Sequence, residues 1–114
     1  MRLPTLAAAA ILALSGTVLA HSEAETTTPA DGAIVRTVEA IEIRFDDPMR
    51  VTRVVLTGPD GDVPLERESG LEPVTLMRAL PAVDLAPGDF SVEWRGLSAD
   101  GHPMQGGFGF TIGE

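Results

Sequence analysis

The sequence predicts an all-β protein, an immunoglobulin-like Greek-key β-sandwich of about seven antiparallel strands. Short runs of β-branched and aromatic residues alternate with polar residues along most of the chain. The 12 glycines and 9 prolines punctuate these runs at intervals that suit strand–turn–strand alternation. An OB-type barrel is the alternative fold, but it usually carries a helix and a basic or aromatic face, and the sequence indicates neither.

The N-terminal segment, residues 1–20, predicts a secretory signal peptide that is cleaved. Arg2 supplies a short basic region, and residues 6–14 are continuously apolar. Residues 18–20 (VLA) resemble the small-residue site at which signal peptides are cleaved. The apolar run is about half the ~20 residues that a membrane-spanning helix needs, which disfavours the alternative of an N-terminal anchor. We therefore expect one domain, residues 21–114, located in the periplasm and not inserted in a membrane after cleavage.

The first predicted strands lie within residues 26–57. Residues 26–28 are all threonine, and they lead into the strong turn sequence PADG of residues 29–32. Residues 41–45 (IEIRF) alternate between apolar and charged side chains, and Asp46-Asp47-Pro48 is expected to end that strand. Residues 51–57 form a β-branched strand that stops at a Gly-Pro-Asp-Gly turn.

The second half of the chain predicts the remaining strands. Residues 62–65 can form a short returning strand, and residues 73–80 form another, although residues 76–80 (LMRAL) alone could be helical. Residues 90–95 (FSVEWR) have the cleanest period of two, and residues 108–112 (FGFTI) repeat it. The chain has no cysteine for an immunoglobulin disulfide, so Trp94 is expected to pack on aliphatic side chains instead.

Composition excludes several functional classes. The chain has 17 acidic residues against 8 arginines and no lysine, a net charge of −9 that argues against nucleic acid as a partner. The absence of cysteine and tyrosine excludes iron–sulfur clusters, thiolate zinc sites and nucleophilic or tyrosine-based catalysis by those residues. No catalytic triad order or phosphate-binding loop stands out, so no enzymatic activity is expected. Asp60-Gly61-Asp62 resembles a calcium-loop fragment but lacks the later acidic ligands, which favours a solvated turn.

The only two histidines are the candidate metal ligands. Cleavage after Ala20 makes His21 the N-terminal residue, whose amine nitrogen and imidazole Nδ1 can chelate one metal ion. Asp100 and His102 would lie on the same side of an extended segment, which supplies a carboxylate and a second imidazole. Three nitrogens and one carboxylate oxygen suit one Cu(II) ion per chain, with zinc as the second choice. The alternatives are a histidine that follows the cleavage site by chance and a solvated loop histidine.

Methionine is the other residue type that is relevant to copper, because thioether sulfur selects Cu(I). Met77 is assigned to the core, and Met49 and Met104 are assigned to loop or rim positions. The sequence contains no M-x-x-M spacing and no methionine-rich loop. No defined Cu(I) site is expected, and a weak one that involves Met49 or Met104 is left open.

Three further segments carry a family resemblance. Residues 28–32 read TPADG, residues 43–48 read IRFDDP, and residues 94–110 read WRGLSADGHPMQGGFGF. These segments resemble the motifs S-x-P-A-D-G, L-x-F-S-E-P and W-R-x-x-S-x-D-G-H-x-x-x-G-x-x-x-F of the CopC family, also called CopC/PcoC-like. The family comprises periplasmic copper-resistance and copper-homeostasis proteins, and its members resemble this chain also in placing a histidine directly after the signal peptide. The resemblance spans residues 21–113.

The resemblance implies a seven-stranded Greek-key sandwich that binds one Cu(II), with His21, Asp100 and His102 as ligands. It also implies copper sequestration or delivery, and a CopD-like inner-membrane protein as a partner. The chain departs from the family in beginning H-S-E-A where H-A-x-L is frequent, and in Pro103, which stiffens the ligand loop. Two other functions remain as alternatives: a copper-dependent oxidative enzyme with an N-terminal histidine chelate, and a metal-free sandwich module for protein interaction.

Overall fold

The computed structural model describes residues 24–114, which form eight β-strands and no helix. The strands are β1 (Ala24–Thr28), β2 (Ala33–Val35), β3 (Ile41–Gly58), β4 (Gly61–Val63), β5 (Leu65–Arg67), β6 (Val74–Pro81), β7 (Gly88–Leu97) and β8 (Pro103–Ile112). The all-β prediction is confirmed, and the segment for which a helix was the alternative lies within β6. The predicted signal peptide and His21 lie outside the described residues. In the part of the chain that is described, no helix is long and apolar enough to cross a membrane.

Two sheets share β3. The first half of β3 pairs with β1 and β6, and β6 pairs with β5. The second half of β3 pairs with β4 and β7, and β8 lies between β7 and β2. These pairs are antiparallel except that of β2 with β8, which is parallel. The sequence does not predict β2, because its three residues are too short to show a periodic pattern.

β3 continues through the point at which the sequence predicts a strand end. Its 18 residues include Asp46, Asp47 and Pro48, and the ladder with β6 shifts register between Arg44 and Met49. Pro48 has no N–H group to contribute to a ladder, so it is tolerated within this irregularity. Pairing with β6 then ends at Met49, and pairing with β7 begins at Arg50. The Asp-Asp-Pro segment therefore carries the chain from one sheet to the other, and we call residues 46–48 the crossover.

The core contains the alternating residues that the sequence predicts, but its aromatic side chains meet in pairs. The ring of Trp94 in β7 contacts Phe45 of β3 edge to face, with centroids 5.1 Å apart and planes at 79°. Phe90 stacks on Phe110 with centroids 5.4 Å apart. The expectation that Trp94 packs on aliphatic side chains is corrected, because the sequence does not reveal which strands of the two sheets face each other. Opposite Trp94, a Cβ at Gly106 would lie 2.8 Å from the indole Nε1, so this position requires glycine.

The turn at residues 29–32 connects β1 to β2 and fixes β2 beside β8. The Oδ1 atom of Asp31 accepts a hydrogen bond of 2.9 Å from the N–H of Gly109. The N–H of Gly32 donates to the carbonyl of Gly109 at 2.7 Å, and Gly32 has a φ of 83°, a left-handed conformation that favours glycine. Asp31 therefore has a structural role at the edge of the second sheet.

Candidate metal centre

A tight turn joins β7 to β8 and carries the two predicted ligands that the structure describes. The N–H of Gly101 donates to the carbonyl of Ser98 at 2.8 Å, and the N–H of Ser98 donates to the carbonyl of His102 at 2.9 Å. Gly101 has a φ of 87°, which a residue with a side chain adopts only under strain. The Asp-Gly pair in this loop thus reverses the chain between the two 10-residue strands of the β7–β8 hairpin.

The side chains of Asp100 and His102 are in contact. The Nδ1 atom of His102 lies 2.9 Å from Oδ1 of Asp100. The spacing of two residues predicts this proximity for an extended segment, whereas in the structure a turn produces it. Both side chains are open to solvent, with 73% of His102 and 70% of Asp100 exposed, so an ion from solution can reach them.

Ser98 holds this pair in place, a role that the sequence does not predict. Its hydroxyl donates a short hydrogen bond to Oδ1 of Asp100. The same hydroxyl oxygen accepts a hydrogen bond of 3.1 Å from the backbone N–H of His102. The available signal was the spacing S-x-D-G-H at residues 98–102, in which the serine is close enough to bond both later polar residues.

Hydrogen bonding shifts the pKa of both groups. The Ser98 hydroxyl, followed by the His102 imidazole, lowers the pKa of Asp100 to about 2. The hydrogen bond to the Asp100 carboxylate raises the pKa of His102. Asp100 is consequently ionised throughout the neutral range, whereas His102 holds its proton more strongly than a free imidazole does. A metal ion that binds His102 must displace that proton.

The separation of the two atoms suits a metal ion. Neighbouring ligands of a square-planar ion, at right angles and each about 2.0 Å from the metal, are about 2.8 Å apart. The observed separation of 2.9 Å between nitrogen and oxygen is close to this value. The two donors are therefore close enough to bind one metal ion once the shared proton is lost.

The turn borders an open depression of about 650 Å³. Residues 47–49 of β3 form one side, and residues of the turn and the start of β8 form the other. Asp47 adds a second carboxylate to this surface, beside that of Asp100. Within residues 24–114, however, no three histidine or acidic side chains lie close enough together to hold a metal ion. Asp100 and His102 thus supply two donors of an incomplete ligand set.

β1 brings the N-terminal part of the chain to the same end of the sandwich. Its first residue, Ala24, is the ladder partner of Phe45 in β3. Because β1 is antiparallel to β3, its first residue lies at the end of the ladder from which β3 continues toward Asp47. His21 lies three residues before Ala24, outside the described residues.

Two further groups of residues have interpretations from the sequence that the structure tests: the aspartates Asp60 and Asp62, and the methionines Met49 and Met104. Asp60 lies in an exposed turn, in agreement with the solvated-turn interpretation, whereas the exposed Asp62 lies in β4 and accepts a hydrogen bond of 3.1 Å from Thr57. The assignment of Met49 to a loop or rim is wrong, since Met49 lies in β3 and is 1% exposed. Met104 lies in β8 and packs half-buried against the core.

Comparisons with known proteins find related sequences and a similar fold. A family model described as the CopC domain matches residues 24–113. Copper resistance protein C of Pseudomonas syringae pv. tomato is 30% identical, with 95% of this chain and 92% of the relative covered. Copper resistance protein C of Escherichia coli is 25% identical, with 90% and 89% covered. The crystal structure of PcoC from Escherichia coli, described as a methionine-rich copper resistance protein, matches with a TM-score of 0.66 and 28% identity, covering 81% of this chain and 98% of PcoC.

Proposed function

The chain belongs to the CopC family, and from this premise we propose that it is an exported copper-binding protein of copper resistance. It binds one Cu(II) ion through the N-terminal amine and imidazole of His21, the imidazole of His102 and the carboxylate of Asp100. The observation that carries the proposal is the contact of 2.9 Å between Asp100 and His102 at the rim of the depression. Three nitrogens and one oxygen form the kind of ligand set that tetragonal Cu(II) favours.

The position of β1 supports the participation of His21. An extended chain advances about 3.3–3.6 Å per residue, so His21 can lie about 10 Å beyond Ala24. Ala24 is the partner of Phe45, and Asp47, two residues further along β3, already lines the depression. A reach of about 10 Å on the side of this depression supports His21 as a ligand beside Asp100 and His102.

Export and metal binding are coupled in this proposal. Only cleavage after Ala20 places a free amine on the residue that also carries the imidazole. An uncleaved chain has an amide nitrogen at the same position, which is a much weaker donor at neutral pH. We therefore propose that copper binds to the mature protein, residues 21–114, in the periplasm.

A comparison of two proteins tests this proposal directly. The mature protein and a form with one additional residue before His21 are titrated with Cu(II) against a competing chelator. We expect the extended form to bind at least about tenfold more weakly, because it loses one nitrogen of the chelate. Equal affinities would remove the His21 amine from the ligand set.

The proposed role is to sequester copper or to deliver it to a CopD-like inner-membrane protein, rather than to catalyse a reaction. The exposure of the ligand pair supports this role, because an acceptor protein can approach Asp100 and His102 directly and exchange ligands. Copper transfer from the loaded protein to an accessible acceptor should be rapid. Sustained ascorbate oxidation by the copper form, well above that of free copper, would instead indicate an oxidative enzyme.

A further inference from the structure

The inward-facing row of β8 leaves the core and continues into the depression. Side chains at every second position of a strand lie on the same face. Counted back from the buried Phe108, this row contains Gly106 and Met104, and His102 follows at the next position, just before β8 begins. Met104 packs half-buried against the core, whereas His102 is 73% exposed. The alternation therefore places a thioether next to the exposed imidazole.

Gly96 in β7 makes room for a second thioether. A Cβ at Gly96 would lie 3.2 Å from both Cγ and Sδ of Met49. Gly96 is also the ladder partner of Met104, and the Cα atoms of such partners are about 4.5–5.5 Å apart. The sulfur of Met49 is thus close to the position that Met104 occupies on the neighbouring strand.

Both methionines line the same depression as His102. We call Met49 and Met104 the methionine pair. In sequence they are 55 positions apart, which is why no methionine motif is visible in the sequence. The register of β3, β7 and β8 brings them together beneath the turn.

We propose that the methionine pair and the His102 imidazole form a Cu(I) site beneath the Cu(II) site. Thioether sulfur selects Cu(I), whereas the amine and carboxylate donors at the rim suit Cu(II). The carboxylates of Asp47 and Asp100 at the rim attract either cation. His102 belongs to both ligand sets, so the two oxidation states compete for the same imidazole. The proposal rests on the proposed copper function, but it adds two thioether donors, those of the methionine pair, that the Cu(II) site does not use.

The test measures Cu(I) affinity without oxygen, by competition with a chromogenic Cu(I) chelator, for the wild type and three leucine variants. Met49→Leu and Met104→Leu remove a sulfur each while keeping a similar side-chain volume. Met77→Leu is the matched control, because Met77 is a fully buried methionine of β6. We expect Met49→Leu and Met104→Leu to lose at least about tenfold in Cu(I) affinity and Met77→Leu to lose none. Cu(II) affinity should stay within about twofold in all three variants, since their nitrogen and oxygen donors are intact.

X-ray absorption at the copper edge supplies a second measurement. The Cu(I) form of the wild type should show sulfur scatterers, and Met104→Leu, which alters a half-buried side chain, should show fewer even if Met49→Leu fails to fold. Unchanged Cu(I) affinity in Met104→Leu, or a Cu(I) form without sulfur scatterers, would overturn the proposal. In those cases the Cu(II) titration of the wild type still decides the proposed function separately.

Discussion

His102 is the residue on which both proposed copper sites depend, yet the fold does not require it. Its side chain is 73% exposed, and the backbone of the turn, not the ring, makes the hydrogen bonds to Ser98. We expect His102→Ala to bind Cu(II) much more weakly and to melt, without metal, at nearly the temperature of the wild type. Thermal melts with and without one equivalent of Cu(II) measure both effects. A variant that melts far lower without metal but binds copper normally would make His102 a structural residue.

The carboxylate of Asp100 controls the proton on His102. Because its hydrogen bond raises the pKa of His102, protons compete with copper up to a higher pH than they would for a free imidazole. Cu(II) affinity should therefore rise with pH as His102 loses its proton, and it should continue to rise until the His21 amine is also deprotonated. In Asp100→Asn the His102 pKa should fall, so the part of this rise that comes from His102 should occur at a lower pH, although the affinity reached is lower because the charged donor is lost.

NMR titration of the His102 ring protons, without metal, measures this shift independently of binding. Asp47→Asn is the matched control, because it removes a carboxylate from the same depression without touching the hydrogen bond. An unchanged His102 pKa in Asp100→Asn would show that the contact of 2.9 Å does not persist in solution.

Ser98 acts on the site through Asp100 rather than through the metal. Its hydroxyl is the largest cause of the lowered pKa of Asp100. Ser98→Ala should raise the Asp100 pKa and weaken Cu(II) binding less than His102→Ala does, because no ligand is removed. Ser98→Thr keeps the hydroxyl and should restore the low pKa, as measured by carboxyl carbon chemical shifts. If Ser98→Thr and Ser98→Ala behave alike, the hydroxyl has no such role.

At the scale of strands, the sequence predicts features that depend on residues close together in the chain. It misses features that depend on how the strands align with one another in the sheets. The alternation in β7 and β8 predicts both strands, because each places one row of side chains in the core and one in solvent. Asp46-Asp47-Pro48 resembles a strand terminator, and only the arrangement of two sheets shows that β3 continues through it. The Asp100–His102 pair was predictable from its spacing of two residues. The proximity of Met49 to Met104 was not, because it depends on how β3 aligns with β7 and β8.

Gly96 shows how closely these strands approach beneath the metal centre. A Cβ there would lie 2.7 Å from the carbonyl oxygen of Arg50, a backbone atom that cannot move without disturbing β3. We expect Gly96→Ala to lower the free energy of unfolding by about 1–3 kcal/mol, the typical effect of overpacking. Urea denaturation measures this, with Gly113→Ala as control, because a Cβ at Gly113 meets its nearest atom at an ordinary 3.6 Å. Equal stability of the two variants would show that β3 and β7 can separate at little cost.

At the scale of the whole molecule, the proposed Cu(II) site links the two sheets. His21 precedes β1, which pairs only with the first half of β3, whereas Asp100 and His102 lie between β7 and β8 of the other sheet. A copper ion bound by all three residues therefore connects the chain before β1 to the β7–β8 turn. The net charge of −9 favours the approach of a cation to any part of this surface, so charge alone does not explain a specific site.

This connection predicts where copper protects the backbone. A ligand that binds only the folded state at about one hundred times its dissociation constant stabilises it by about 2.7 kcal/mol. For a domain of this size such a gain raises the melting temperature by roughly 10–20 °C. In hydrogen exchange, amides of β1 and of residues 98–102 should become more protected when one equivalent of Cu(II) is added. The turn at residues 59–60 between β3 and β4 is the internal control, because it lines none of the depression and should exchange at an unchanged rate. Protection that spreads evenly over all strands, or that omits β1, would mean that copper does not join the N-terminus to the β7–β8 turn.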